Sequence, residues 1–168
     1  MTRRGGFHGE IALLLALLDE AYEKKAWHGP NLRGSLRGLS AREASWRPAP
    51  GRHNVSELVV HAAYWKYAVR RRLTGEKRGA FSRKGSNWFA GGEASESAWR
   101  SDRDLLETEH RRLREGVAAF PPERLRDLSA GSRHTNARLI YGIAAHDLYH
   151  AGQIQLVKAL SRGNRGGK

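Results

Sequence analysis

The sequence predicts an all-α protein folded as a four-helix bundle. Apolar residues recur at intervals of three and four along four long stretches, at about residues 8–27, 54–74, 95–120 and 134–160, which is the pattern of a helix with one buried face. No stretch alternates apolar and polar residues as a half-buried strand would, and there is no internal repeat. Four helices of this length pack most simply as a bundle.

The first predicted helix, at about residues 8–27, is followed by a long connection. Gly29 and Pro30 end the helix. Leu13 and Leu17 lie beside its main apolar stripe and predict burial on two sides. The main stripe consists of Ile11, Leu14, Leu15, Leu18 and Tyr22.

The connection after the first helix runs to residue 52 and contains two prolines. Leucines within residues 32–39 predict one short turn of helix, and residues 40–46 predict another. We expect the length of this connection to let the second long helix run in the same direction as the first.

The second long helix is delimited by its own sequence. Asn54 is a favourable N-cap, Glu57 completes a capping box, and Thr74 and Gly75 end the helix. His61 falls on the apolar face near the middle of this helix. A single histidine there is more often a hydrogen-bonded core residue than a metal ligand.

Residues 75–94 form a glycine-rich loop that contains Phe81, Trp88 and Phe89. A loop of this length is typically functional or disordered, and its aromatic residues favour a packed loop over the mouth of a site. The third helix follows, and the prolines at 121 and 122 end it.

The fourth helix carries the clearest chemical signal, two histidines four residues apart. His146 and His150 lie one above the other on one helix face, within reach of one ion. Asp147 and Tyr149 point elsewhere, and the zincin motif is excluded because an aspartate follows the first histidine. Eight histidines give about 0.4 such pairs by chance, so the pair alone is weak evidence.

His61 strengthens this interpretation, because it would face His146 and His150 across the bundle as the third ligand. The alternative is that all three are ordinary histidines at the edge of the core. Since the chain has no cysteine, any metal site must use imidazole, carboxylate and water.

Length and composition bound the remaining possibilities. The 168 residues suit one domain, which we expect over residues 1–162, with a disordered basic tail over 163–168. A net charge of +13 permits nucleic-acid binding, although no known reading motif accompanies the dispersed basic residues. Without a signal peptide or a membrane-spanning run, we expect a cytoplasmic protein with no membrane partner.

Two segments together resemble a known family. The run Leu58-Val-Val-His61-Ala-Ala-Tyr-Trp65 and the later His146-x-x-x-His150-x-Gly152-Gln153-Ile154 are similar to DinB-like, damage-inducible-type proteins. That superfamily includes bacillithiol- and mycothiol-dependent S-transferases. The similarity covers nearly the whole chain, from the first helix to residue 160.

The resemblance implies a bundle in which three histidines bind a divalent ion, often zinc or nickel, with water in the open positions. Carried over to this chain, the ligands are His61, His146 and His150, and Gln153 has a structural or outer-shell role. It also implies a metal-dependent S-transferase or hydrolase, whose partners are a small-molecule thiol or an electrophile, and a possible homodimer.

Three functions stay open at this point. The protein is a metal-dependent enzyme, a bundle in which the ion only joins two helices, or a basic nucleic-acid-binding protein. With no cysteine in the chain, a thiolate nucleophile would come from a cosubstrate. The sequence identifies no general base. Asp147 points away from the helix face that carries His146 and His150, and the sequence does not determine the level of His110 along the bundle.

Overall fold

The computed structural model of the chain describes residues 4–91 and 93–163, with side chains from residue 9 onwards. Its four long helices are α1 (Arg4–Tyr22), α4 (Val55–Thr74), α5 (Glu96–Ala118) and α6 (Asn136–Gly163). Two short helices, α2 (Leu32–Ser35) and α3 (Ala41–Ser45), lie in the connection after α1, and a 3₁₀ turn (Pro122–Arg124) follows α5. The described residues form no strand, so the predicted all-α fold is confirmed.

Local chemistry sets the helix ends. The side chain of Asn54 accepts a hydrogen bond from the Glu57 backbone while the Glu57 carboxylate reaches back to the Asn54 backbone, the predicted capping box. Gly75 ends α4 in the left-handed conformation, at a φ of 77°. In contrast, α1 stops at Tyr22 and not at residue 27, and Trp27 is almost fully exposed.

The predicted burial of α1 on two sides is wrong. Leu13 and Leu17 are 63% and 41% exposed, while the main stripe, such as Leu18, is buried. These leucines lie on the outer face of the bundle, where single exposed apolar residues are common. The predicted homodimer stays a prediction.

Side-chain contacts establish the directions of the helices. They show that the second long helix does not run in the same direction as the first, contrary to the prediction. Asp19 of α1 binds Arg114 of α5, and Tyr22, further along α1, binds Glu107, which comes earlier in α5. A later residue of α1 thus contacts an earlier residue of α5, so the two helices are antiparallel.

In contrast, α4 and α5 are parallel. Ser56 at the start of α4 hydrogen-bonds Asp102 near the start of α5, and Arg70 near the end of α4 contacts Glu109 further along α5. Hence α4 runs opposite to α1, and the connection of residues 75–95 is the crossover that makes two helices parallel. The long connection after α1 is present, but it does not make α4 parallel to α1. Its residues instead form the two short helices α2 and α3.

The core consists of two apolar clusters placed one after the other along the bundle. One contains Leu32, Val59 and Ile154, and the other contains Leu18 and Ile140, among other residues. Along α4, α5 and α6 a polar residue separates the two clusters. These polar residues are Lys66, His110 and Asp147.

No described helix is both long and apolar enough to cross a membrane. Residue 163 ends α6, and the rest of the predicted tail, 164–168, lies outside the described residues. The single domain over residues 1–162 stays a prediction.

Candidate metal centre

The structure brings together three histidines from two helices. The Nε2 atom of His61 on α4 lies 3.2 Å from Nε2 of His146 on α6, and Nε2 of His150 lies 3.0 Å from the same atom. One ligand nitrogen from each ring fits within 4.8 Å of the others. We call these three residues the histidine cluster.

Two residues orient the rings of the cluster. Nδ1 of His61 lies 2.8 Å from the backbone carbonyl oxygen of Asn87, and Nδ1 of His150 lies 2.6 Å from Oε1 of Gln153. Because an oxygen acceptor faces each Nδ1, that nitrogen carries the proton, and Nε2 keeps its lone pair. Metal-binding histidines are held in this way by a carbonyl behind the ring.

The three Nε2 atoms share at most one proton. Those of His61 and His150 carry none, so the cluster holds at most the one proton of His146 Nε2. Nδ1 of His146 is buried and has no partner. At least two lone pairs of neutral nitrogens therefore converge on one point, which is the arrangement of donor atoms that a divalent cation takes from imidazole ligands.

The spacing fits a transition-metal ion. Two imidazole nitrogens about 2.1 Å from one ion, in tetrahedral or octahedral geometry, lie about 3.0–3.4 Å apart. Both measured separations, 3.0 and 3.2 Å, fall within that range. The buried histidine triad can therefore hold a divalent metal ion.

Burial keeps the three rings in the neutral form that binds metal. Burial, followed by the neighbouring His150 and His61, lowers the pKa of His146 to about 3. For His150 burial lowers the pKa to about 4 against the opposing hydrogen bond of Gln153. Burial also lowers the pKa of His61, which the Asn87 carbonyl opposes. Neutral imidazoles suit zinc and nickel alike.

The loop of residues 75–95 covers one side of the cluster. The indole of Trp88 stacks on His61 at 3.8 Å between ring centroids, and on its other face stacks on His53 at 3.6 Å. The side chain of Asn87 accepts a hydrogen bond from Trp65. The expected aromatic loop over the site is therefore present, but only Trp88 of its three aromatic residues contacts a cluster histidine.

The other two loop aromatics have a different partner. Phe81 and Phe89 pack against each other and against Tyr64, with centroid separations of 5.3–5.5 Å. They anchor the loop to α4, while the residues between them reach the cluster.

Asp147 points away from the cluster, as the sequence predicted. Its carboxylate binds the ammonium of Lys66 on α4, and both side chains are fully buried. We call these two residues the lysine pair. Nζ of Lys66 lies 3.4 Å from Nδ1 of His110, whose ring stacks on Tyr22. His110 therefore contacts the lysine pair and is not part of the histidine cluster.

A second group of possible ligands lies on the far side of His110. Asp19, Glu23 and His110 present ligand atoms within 4.8 Å of one another. Asp19, however, already binds the guanidinium of Arg114 and the ammonium of Lys24. Because two cations neutralise this carboxylate, the histidine cluster is the better candidate for a metal.

Sequence reasoning named Trp88 within the aromatic loop but missed Asn87 and Lys66. Asn87 has a φ of 65°, a conformation that asparagine tolerates better than other residues with a side chain. That preference was the one local signal for a sharp turn. Lys66 lies on the inner face of α4, where its charge interrupts the apolar pattern.

The family model described as the DinB superfamily matches residues 26–154, well over half of the chain. This range includes all three cluster histidines and ends just beyond Gln153. No curated protein and no solved structure matches the chain significantly.

Proposed function

The chain belongs to the DinB superfamily, and from this membership and the histidine cluster we propose that it is a divalent-metal-dependent enzyme. The proposed activity is transfer of a low-molecular-weight thiol to an electrophile, or hydrolysis, at an ion held by His61, His146 and His150. The observation that carries the proposal is that the Nε2 atoms of His61 and His150 lie 3.2 and 3.0 Å from Nε2 of His146, with at most one proton among the three.

The number of ligands favours catalysis over a purely structural role. Structural zinc sites are closed by four protein ligands, whereas catalytic sites keep a position for water or substrate. Among the described residues, no Asp or Glu joins the three histidines. A bound divalent ion would lower the pKa of a thiol or water placed in the open position.

The chain itself supplies binding and orientation. The Asn87 carbonyl and Gln153 hold the His61 and His150 rings with Nε2 directed to the centre. Trp88 covers His61 and restricts access of water to that side. Since the chain has no cysteine, the attacking thiol must come from a second substrate.

The first test is metal content. Protein purified without a metal-affinity step should contain about one zinc or nickel ion per chain by mass spectrometry, and His146→Ala should contain none. His28→Ala, which alters an exposed histidine outside the cluster, is the matched control and should keep its metal. Metal-free native protein that cannot be loaded would refute the proposal.

The second test separates an enzyme from a bundle whose ion merely joins α4 and α6. Cobalt-substituted protein should change its visible spectrum and gain a sulfur-to-cobalt charge-transfer band when a small thiol is added, because the thiol enters the open position. Conversion of an electrophile in the presence of the thiol should require the metal. A spectrum that no thiol or water analogue alters would support the non-catalytic alternative.

A further inference from the structure

A cavity lies directly beside the histidine cluster, between α4 and α6. Its volume is about 510 Å³, within the usual range for small-molecule sites. Apolar and aromatic side chains make up most of its wall, and the cluster residue His146 is part of it. The wall includes Trp65, Val69, Leu139, Tyr141, Ile143 and His146.

Basic groups line the same cavity. They are Arg72 of α4, Arg138 of α6 and His134, and no acidic residue in the described part of the chain is among the lining residues. Neither arginine forms an ion pair with a described carboxylate. The one side-chain bond of Arg72 is donated to the backbone oxygen of Ala68.

The charge of Arg72 is poorly compensated. Its side chain is half-buried, and burial, followed by the nearby Arg71 and Arg78, lowers its pKa. An anion bound here would gain from a guanidinium that has lost part of its hydration and has no counter-ion.

The basic groups lie at the end of the cavity remote from the histidine cluster. Arg138 precedes His146 by eight residues, a rise of roughly 12 Å along α6. Arg72 follows His61 by eleven residues, a rise of roughly 16 Å along α4. The early part of α4 packs with the late part of α6 in one apolar cluster, and the late part of α4 packs with the early part of α6 in the other, so the two helices run in opposite directions. Since both arginines line one cavity, they mark the same end.

We propose that the substrate bound in this cavity is an elongated amphipathic anion. Its apolar body lies against Trp65, Leu139 and Ile143, its reactive end lies at the His146 side, and its anionic group is held by Arg72 and Arg138. The placement of the reactive end at His146 rests on the proposed metal-dependent function. The binding of an apolar anion depends only on the cavity.

The experiment measures binding of octane-1-sulfonate by calorimetry, since a sulfonate is a weak metal ligand and reports on the arginines. Octan-1-ol, with the same chain and no charge, is the comparison ligand. We expect one saturable site for the sulfonate and about tenfold weaker binding in Arg72→Gln and in Arg138→Gln, the loss of one charge-assisted contact each. Octan-1-ol should bind alike to all variants.

Arg71→Gln is the matched control, because Arg71 precedes Arg72 on α4 and is not among the residues that line this cavity. It should bind the sulfonate as the native protein does. Arg138 is exposed, so its substitution should leave the helix content unchanged, which circular dichroism checks for each variant. Absent saturable binding, equal affinity for sulfonate and alcohol, or an equal loss in Arg71→Gln would each overturn the proposal.

Metal content, measured on the same samples, separates the two proposals. Sulfonate binding with the expected arginine dependence in a protein that cannot be loaded with metal would refute the metal-dependent function and retain the anion site. Stoichiometric metal without sulfonate binding would refute the anion site and leave the metal-dependent function standing.

Discussion

The histidine cluster and the lysine pair occupy neighbouring positions in one bundle, yet they differ in how their charge is balanced. His146 and Asp147 are adjacent in sequence and lie about 100° apart around α6, and each meets a different residue of α4. In the lysine pair the ammonium of Lys66 supplies the cation that the carboxylate requires. In the histidine cluster three neutral nitrogens converge, and within the described part of the chain no ion pair includes any of these histidines.

This difference shows how buried polar groups divide between structure and function. The lysine pair lies between the two apolar clusters of the core, and its two charges balance each other within the chain. The histidine cluster can hold a divalent metal ion, which it would take from solution. We therefore expect changes at the lysine pair to affect folding and changes at the histidine cluster to affect metal binding.

The largest expected effect is on metal binding in His146→Ala. This imidazole contacts both other rings, so its removal should abolish stoichiometric binding while leaving the unfolding midpoint of the metal-free protein close to native. Metal titration and urea unfolding measure the two quantities. If His146→Ala still bound one metal ion per chain, the proposed set of three histidine ligands would be wrong.

A large effect on stability is expected from Asp147→Ala. It leaves the fully buried Lys66 without its counter-ion, which should lower the free energy of unfolding by about 3–5 kcal/mol. Urea denaturation measures it. The control is the double variant Lys66→Met/Asp147→Leu, which should recover most of the loss and still bind one metal ion. A double variant that folds but binds no metal would show that the two regions are not independent.

An intermediate effect is expected from Gln153→Leu, which removes the acceptor behind His150. The affinity for metal should fall by about 10–100-fold, the usual effect of losing such a partner. Gln155→Leu, two residues further along α6, is the matched control and should keep native affinity. Competition with a chelator measures both. Equal affinity in the two variants would argue against an orienting role for Gln153.

Acid should destabilise the metal-free protein. The pKa values of His146 and His150 are lowered to about 3 and about 4, and that of His110 to about 2, against about 6.5 in the unfolded chain. Between those limits the unfolded state binds more protons, so stability is full above pH 6.5 and declines as the pH falls. Each group contributes about 1 kcal/mol per pH unit.

Urea unfolding at a series of pH values measures this slope. In His110→Phe the slope should decrease by about one proton while metal binding persists, because His110 contacts the lysine pair and is not part of the histidine cluster. A stability that does not change between pH 4 and 6.5 would contradict the neutral buried histidines.

The smallest effect is expected from removing the metal with a chelator. Helicity should change little, because the two apolar clusters and the lysine pair are complete without an ion. The melting temperature should fall only by the linkage of metal binding to folding. Circular dichroism follows both. Loss of helicity on chelation would make the ion a structural link between α4 and α6.

Local patterns in the sequence were sufficient for the helices and for part of the site. Apolar spacing gave the four long helices, and the Asn54 capping box gave the start of α4, because both depend on residues at most four positions apart. The same locality places His146 and His150 on one face of α6. His61 could be named because it lies on the inner face of its own helix.

The tertiary structure alone decided the register and the partners. Only the packing of α4 against α6 places His61 beside His146, 85 residues away, and only the returning loop brings Asn87 behind His61. Burial of Lys66 depends on Asp147, 81 residues away. An isolated segment cannot specify such contacts, since the desolvation cost of each group is offset by a partner that the local sequence does not contain.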